Sequence, residues 1–166
     1  IIRAESQPGK GSPFVVLFPT VEETSPDAPK KTGEMPNGDE RILFVDDEKL
    51  MVELNRSRLE RLGYTVDSQM DPTEALTVFR SNPHKFDLVI TDMTMPRMNG
   101  DRLAQEILAI RSDMPIILCT GYSQKMTAEK ARKLGIRKYI EKPIEMGTLA
   151  RSVREVLDSQ NKGKTV

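Results

Sequence analysis

The chain has 166 residues, 37% of them hydrophobic and 30% charged, with 25 basic and 25 acidic side chains that balance. That length suits one ordinary domain of about 100 to 150 residues with some chain to spare, and the even charge supplies no bulk field to gather nucleic acid, so no nucleic-acid partner is expected. No apolar stretch approaches the roughly 20 residues that cross a bilayer and the N-terminus lacks a secretory layout, so no membrane contact is expected of this chain.

Residues 1–20 (IIRAESQPGKGSPFVVLFPT) contain a turn at Gly9-Lys10-Gly11 and a five-residue apolar strand at 14–18. An isolated hairpin is marginal in water, so this piece is expected to belong to another domain's sheet. The turn is not a Walker phosphate loop, because that motif's first glycine is missing and Gly11 stands where Ser or Thr is required. Residues 21–38 carry Pro26, Pro29, Pro36, Gly33 and Gly38 among charges and read as a linker.

From residue 39 to 160 the pattern becomes a regular alternation. Strands are predicted at 42–45, 64–66, 88–90, 116–119 and 139–140, several of them apolar throughout, as strands covered on both faces are. Amphipathic helices lie between them. Met51, Leu54, Leu59 and Leu62 form one stripe, Leu103, Ile107 and Ile110 a second, and Leu149, Val153, Val156 and Leu157 a third. Gly63 and Gly135 stand where a left-handed residue ends a helix, and Pro72 and Asn99 stand near helix starts. The segment 124–134 has only Ala128, Ala131 and Leu134 to bury, which marks it as weakly anchored. Five strand–helix units joined by right-handed crossovers imply an α/β fold with a doubly wound parallel sheet and helices on both faces. Residues 161–166 are left as a tail, and too few residues follow Leu157 for a DNA-binding domain, so direct transcriptional output is not expected. Cys119, the lone cysteine, excludes an internal disulfide and reads as a buried inert thiol compatible with a reducing cytoplasm.

In an open parallel sheet, ligands bind beyond the carboxyl ends of the strands, where strand order reverses. The first strand of the alternating region ends in Asp46-Asp47-Glu48, the third in Thr91-Asp92, the fourth in Thr120-Gly121 and the fifth in Glu141-Lys142-Pro143. An Asp-Asp pair alone reads as a solvated turn or a helix cap. If the first and third strands are neighbours, however, Asp46, Asp47 and Asp92 converge, and carboxylates about 5 Å apart repel by roughly 3 kcal/mol per pair at an effective dielectric near 20. Such a cluster calls for a cation, and an all-oxygen site suits Mg²⁺. Lys142 can supply a second positive point and Thr120 a hydroxyl.

These blocks, RILFVDDE at 41–48, DLVITDMTMPRMNG at 87–100, IILCTG at 116–121 and KYIEKP at 138–143, closely resemble the signature blocks of response-regulator receiver domains, in order and at the expected separations. The resemblance implies a flavodoxin-like five-stranded sheet in the order 2-1-3-4-5. It implies Asp92 as phosphoacceptor, Asp47 as direct Mg²⁺ ligand, Asp46 as a water-mediated ligand and the Thr94 carbonyl as a further ligand. It also implies Thr120 as the hydroxyl that bonds the phosphoryl group, Lys142 as its charge partner, Tyr139 as a rotating aromatic and a cis bond between Lys142 and Pro143. Thr94 and Tyr122 either flank the acceptor and admit or block water, or are surface residues; Tyr139 either turns or caps its strand. His84, beside Pro83, reads as an exposed loop residue.

Residues 2–19 resemble the last strands of a histidine-kinase ATP-binding domain, where a Pro-Gly-Lys-Gly turn leads into an apolar strand ending in Leu-x-Pro; Pro13 departs from that run. A remnant of such a domain before a linker and receiver implies the C-terminal receiver of a hybrid histidine kinase. Its partners would be a histidine kinase and a histidine phosphotransfer domain. A stand-alone single-domain regulator is the alternative. A phosphatase of the haloacid-dehalogenase type also uses an aspartyl nucleophile, Mg²⁺, a hydroxyl and a lysine, but it needs an acid where Thr94 stands and a nucleophile on the first strand.

Overall fold

A computed structural model describes residues 2–5, 7, 9, 11–17, 35–121 and 128–161. Most of the predicted linker, Tyr122 and nearly all of the predicted tail lie outside the described residues. The chain divides into two units, Ile1–Gly33 and Glu34–Val166.

In the first unit, β1 (Ile2–Ala4) pairs antiparallel with β2 (Phe14–Val16), Arg3 standing opposite Val15. Gln7 and Gly11 form a further bridge, and Gly9 and Gly11 hold positive φ angles of 77° and 86°, a backbone only glycine adopts freely. The predicted turn is therefore present, with a three-residue strand where five residues were expected. Phe14, Val15, Val16 and Leu17 are all exposed, Phe14 by 71%.

In the second unit the short apolar runs become the parallel strands β3 (Arg41–Val45), β4 (Thr65–Gln69), β5 (Leu88–Asp92), β6 (Ile116–Thr120) and β7 (Lys138–Glu141). Their order is β4-β3-β5-β6-β7, which within the unit is the expected 2-1-3-4-5. Strand side chains alternate between faces. Ile42, Phe44, Leu88, Ile90, Ile117 and Cys119 therefore pack with α1 (Lys49–Arg61) and α5 (Met146–Asn161). Leu43, Val45, Val89, Ile116 and Leu118 pack on the other face with α2 (Pro72–Ser81), α3 (Gly100–Ile110) and α4 (Ala128–Lys133).

Local chemistry sets the ends. Pro72 opens α2 behind Asp71, whose carboxylate accepts from the Thr73 and Glu74 amides at 2.8 and 3.4 Å. Gly63 and Gly135 hold the left-handed conformation predicted for them. The chain enters the sheet past Gly38, whose amide donates to the Leu62 carbonyl at 3.0 Å, and Arg154 of α5 forks onto Glu40 at 2.7 and 3.2 Å.

Three expectations need correction. The buried stripe of α1 runs through Val52, Asn55 and Leu59, followed by Leu62, while Leu54 is 42% exposed. Asn55 is polar yet buried because it accepts a hydrogen bond from Arg58, which disguised the stripe. Ile110 is 38% exposed, lying at the end of α3 beyond the sheet's cover. Finally, β4 continues through Asp67, Ser68 and Gln69, since as an edge strand it needs no unbroken apolar run.

Candidate functional site at the strand tips

The pairing register brings three of the predicted residues, Asp46, Asp92 and Lys142, together. Val45 stands opposite Thr91, Thr91 opposite Leu118, and Leu118 opposite Tyr139. Asp46 and Asp92 thus occupy the next row, Thr120 the row beyond, and Lys142 lies one residue past the end of β7. Asp46, Asp92 and Lys142 fall at alternating positions that continue the side of the sheet covered by α1 and α5. Thr120 and Tyr139 continue the opposite side.

Lys142 closes the cluster. Its Nζ lies 2.8 Å from Asp92 Oδ1 and 3.0 Å from Asp46 Oδ2. The other oxygens are also engaged, Asp92 Oδ2 by the Thr94 amide at 3.2 Å and Asp46 Oδ1 by the Glu48 amide at 3.0 Å. Asp46 and Asp92 are buried, Lys142 half-buried and Asp47 exposed.

Burial and pairing pull in opposite directions here. Burial raises the Asp92 carboxyl above its ordinary value, further than the Lys142 ammonium and the Thr94 amide lower it, and the neighbouring Asp46 adds to the rise. Burial alone would lower Lys142, but its hydrogen bonds to Asp92 and Asp46 outweigh that and hold the ammonium protonated. Cys119 is fully buried below the site, as expected, and burial pushes its thiol up to about 12.

The donor set fits a hard cation. Asp46 and Asp92 against one lysine leave a formal excess of negative charge, and both present oxygen donors. Among the described residues, no three His, Cys, Asp or Glu side chains are gathered into a metal cluster. The expected convergence of three acids is therefore not seen: Asp46 and Asp92 meet at Lys142, while Asp47 stands exposed where the chain turns into α1.

Thr120 is the buried last residue of β6, and its carbonyl accepts from the Lys142 amide at 2.8 Å. Tyr139 is partly buried against the α4 side and, with Lys142, lines a groove of about 530 Å³ between β7 and α5. Thr94 is exposed just beyond Asp92, and His84 is exposed as expected. The Lys142-Pro143 bond is cis. Tyr122 lies outside the described residues.

Two supports of the site carried no role in the sequence. A Cβ on Gly100 would come 2.0 Å from the Asp92 carbonyl oxygen, so the start of α3 packs directly on the backbone of the buried acid, and the Gly100 amide donates to Met93 O at 2.9 Å. Arg97 holds a φ of 67° and pairs with Asp71, tying the loop after Asp92 to the start of α2. The glycine's place in the block 87–100 was the available signal for the first; the second has none in local sequence.

The sequence profile described as response regulator receiver domain matches residues 42–154. Among curated proteins, the chain is 28% identical over 169 aligned positions to the sensor kinase CckA of Brucella abortus, covering 96% of this chain and 18% of that protein. It is 36% identical over 127 positions to the probable transcriptional regulator ycf27 of Porphyridium aerugineum, covering 76% of this chain and 51% of that protein. Thus it spans about a fifth to a half of the length of these relatives. Among solved structures, a response regulator receiver domain protein from Clostridium thermocellum superposes with a TM-score of 0.71 at 31% identity, over 74% of this chain and 98% of that one.

Proposed function

Because the chain belongs to the response regulator receiver domain family, we propose that Asp92 accepts a phosphoryl group from a phosphohistidine, and that the charge so gained switches the surface around Tyr139. The observation that carries this reading is the Lys142 ammonium held between Asp46 and Asp92 at the strand tips, 3.0 and 2.8 Å from their oxygens.

An Asp92 oxygen attacks phosphorus in line with the bond to the histidine nitrogen. The P–N bond breaks as the P–O bond forms, the electron pair leaves with the imidazole, and that ring takes its proton from solvent. Lys142 balances charge on the phosphoryl oxygens, and Thr120 offers them its hydroxyl. Asp47, Asp92 and the Thr94 carbonyl, with Asp46 through water, would hold Mg²⁺, which would neutralise and orient those same oxygens. The product, an acyl phosphate, adds about two negative charges beside Thr120. That draws the Thr120 hydroxyl toward the phosphoryl group and opens space into which Tyr139, on the same side of the sheet, can turn.

We further read the chain as part of a hybrid histidine kinase acting in a phosphorelay with a histidine phosphotransfer domain. The alignment to a sensor kinase over 96% of the chain supports this, as does a hairpin whose apolar strand is left exposed. An autophosphorylated histidine-kinase domain, mixed with this chain and Mg²⁺, is expected to pass its label to the wild type and not to Asp92→Asn. Equal transfer to both would remove Asp92 from the role.

A further inference from the structure

Lys142 must stand within hydrogen-bond reach of two carboxylates, yet it lies in a connection rather than in a strand. On its upstream side it is fixed by the sheet, since its own amide donates to the Thr120 carbonyl at 2.8 Å. Downstream, only Pro143 separates it from Ile144, whose carbonyl accepts from Arg58 Nη1 at 2.8 Å. Arg58 belongs to the last turn of α1, 86 positions away in sequence. The same nitrogen also reaches the Asn55 Oδ1 at 3.4 Å, and Asn55 is only 2% exposed.

This is an unusual use of an arginine. Its partly buried guanidinium has no carboxylate partner among the described residues and makes its protein hydrogen bonds to two neutral acceptors, the Asn55 amide oxygen and the Ile144 carbonyl. Asn55 in turn occupies a position on the buried stripe of α1 that an aliphatic residue would fill, between Val52 and Leu59. Both departures from ordinary packing serve one end, a strut from α1 to the residue that follows Lys142-Pro143.

We propose that Arg58 is a positioning residue for phosphoryl transfer: seated on Asn55 and donating to the Ile144 carbonyl, it fixes the connection after Lys142 and so sets where the ammonium stands between Asp46 and Asp92. The inference rests on Lys142 acting upon the phosphoryl group, as read above. Arg58 touches no reacting atom and acts only through Lys142.

The test uses the full chain with Arg58→Met, Arg58→Lys, Lys142→Met and the Arg58/Lys142 double variant, each shown folded by circular dichroism at the assay temperature. With acetyl phosphate and saturating Mg²⁺, Arg58→Met is expected to label between roughly tenfold and a hundredfold more slowly, the scale of effect that a misplaced reacting group produces. Arg58→Lys, which keeps a donor, recovers part of the rate. The double variant is no slower than Lys142→Met alone, because a residue acting through Lys142 adds nothing once Lys142 is gone. A second readout is independent of phosphorylation: reductive methylation mapped by mass spectrometry, in which Lys142 reacts slowly in the wild type and several-fold faster in Arg58→Met. Wild-type reactivity of Lys142 in Arg58→Met, or an undiminished labelling rate, overturns the proposal. So does a double variant that loses as much again. Failure of the wild type to label at all, with Lys142 still released in Arg58→Met, overturns the phosphoacceptor reading and leaves the strut standing.

Discussion

α3 and α4 cover the same side of the sheet and are held to it very differently. α3 buries Leu103, Ala104 and Ile107 completely and begins with a glycine packed on the Asp92 backbone. α4 spans six residues, Ala131 is buried, and Leu134 just past its end is only partly so. The acid is therefore fixed from the α3 side. If Asp92 gains a charge as proposed, the more weakly held neighbour is α4, on the side of the sheet against which Tyr139 packs.

Two glycines at opposite ends of this contrast test it with the largest expected effect. Gly100→Ala places a methyl group against a backbone oxygen that cannot swing away, and should destabilise the second unit by at least about 3 kcal/mol in urea titrations. At Gly121, just past Thr120, an added Cβ meets nothing within 4 Å among the described residues, so Gly121→Ala should stay within about 0.5 kcal/mol of wild type. Equal losses at both positions would erase the distinction. Amide exchange sharpens it: protection in α3 should approach the global value, while α4 amides open more easily.

Much of this was legible in the sequence because it rests on local signals. Runs such as 42–45 and 116–119 are apolar at every position, which only strands buried on both faces require. The acids, the hydroxyl and the lysine sit at successive strand ends, where the register then gathers Asp46, Asp92 and Lys142. What escaped were contacts between distant segments. The stripe of α1 was misplaced because Asn55, buried for its bond to Arg58, looks solvent-facing in a hydrophobicity pattern. The pairing of Arg97 with Asp71 and the reach of Arg58 to Ile144 leave no periodic trace, and the helical content of 72–81 rests on Ala75, Leu76 and Phe79, a stripe that was not singled out.

The smallest expected effect concerns charge rather than packing. Burial raises the Asp92 carboxyl in the folded state, so the native form favours the protonated acid. The associated stability is full below the ordinary carboxylate value and is lost as pH rises through the native one. In metal-free buffer at neutral pH, Asp92→Asn should therefore melt slightly higher than wild type, the gain shrinking as pH falls toward about 4. Mg²⁺ should narrow the gap by stabilising the wild type more. A variant less stable at neutral pH would show that pairing with Lys142 outweighs burial.

The central claim is that the buried acid of β5, with Lys142 beside it, is a phosphoryl acceptor. Intact-mass measurement after incubation with acetyl phosphate and Mg²⁺ tests it most directly. The wild type should gain one phosphoryl group, and Asp92→Asn and chelator-treated wild type none. A wild type that stays unmodified, or an Asp92→Asn variant that gains the same mass, would contradict it.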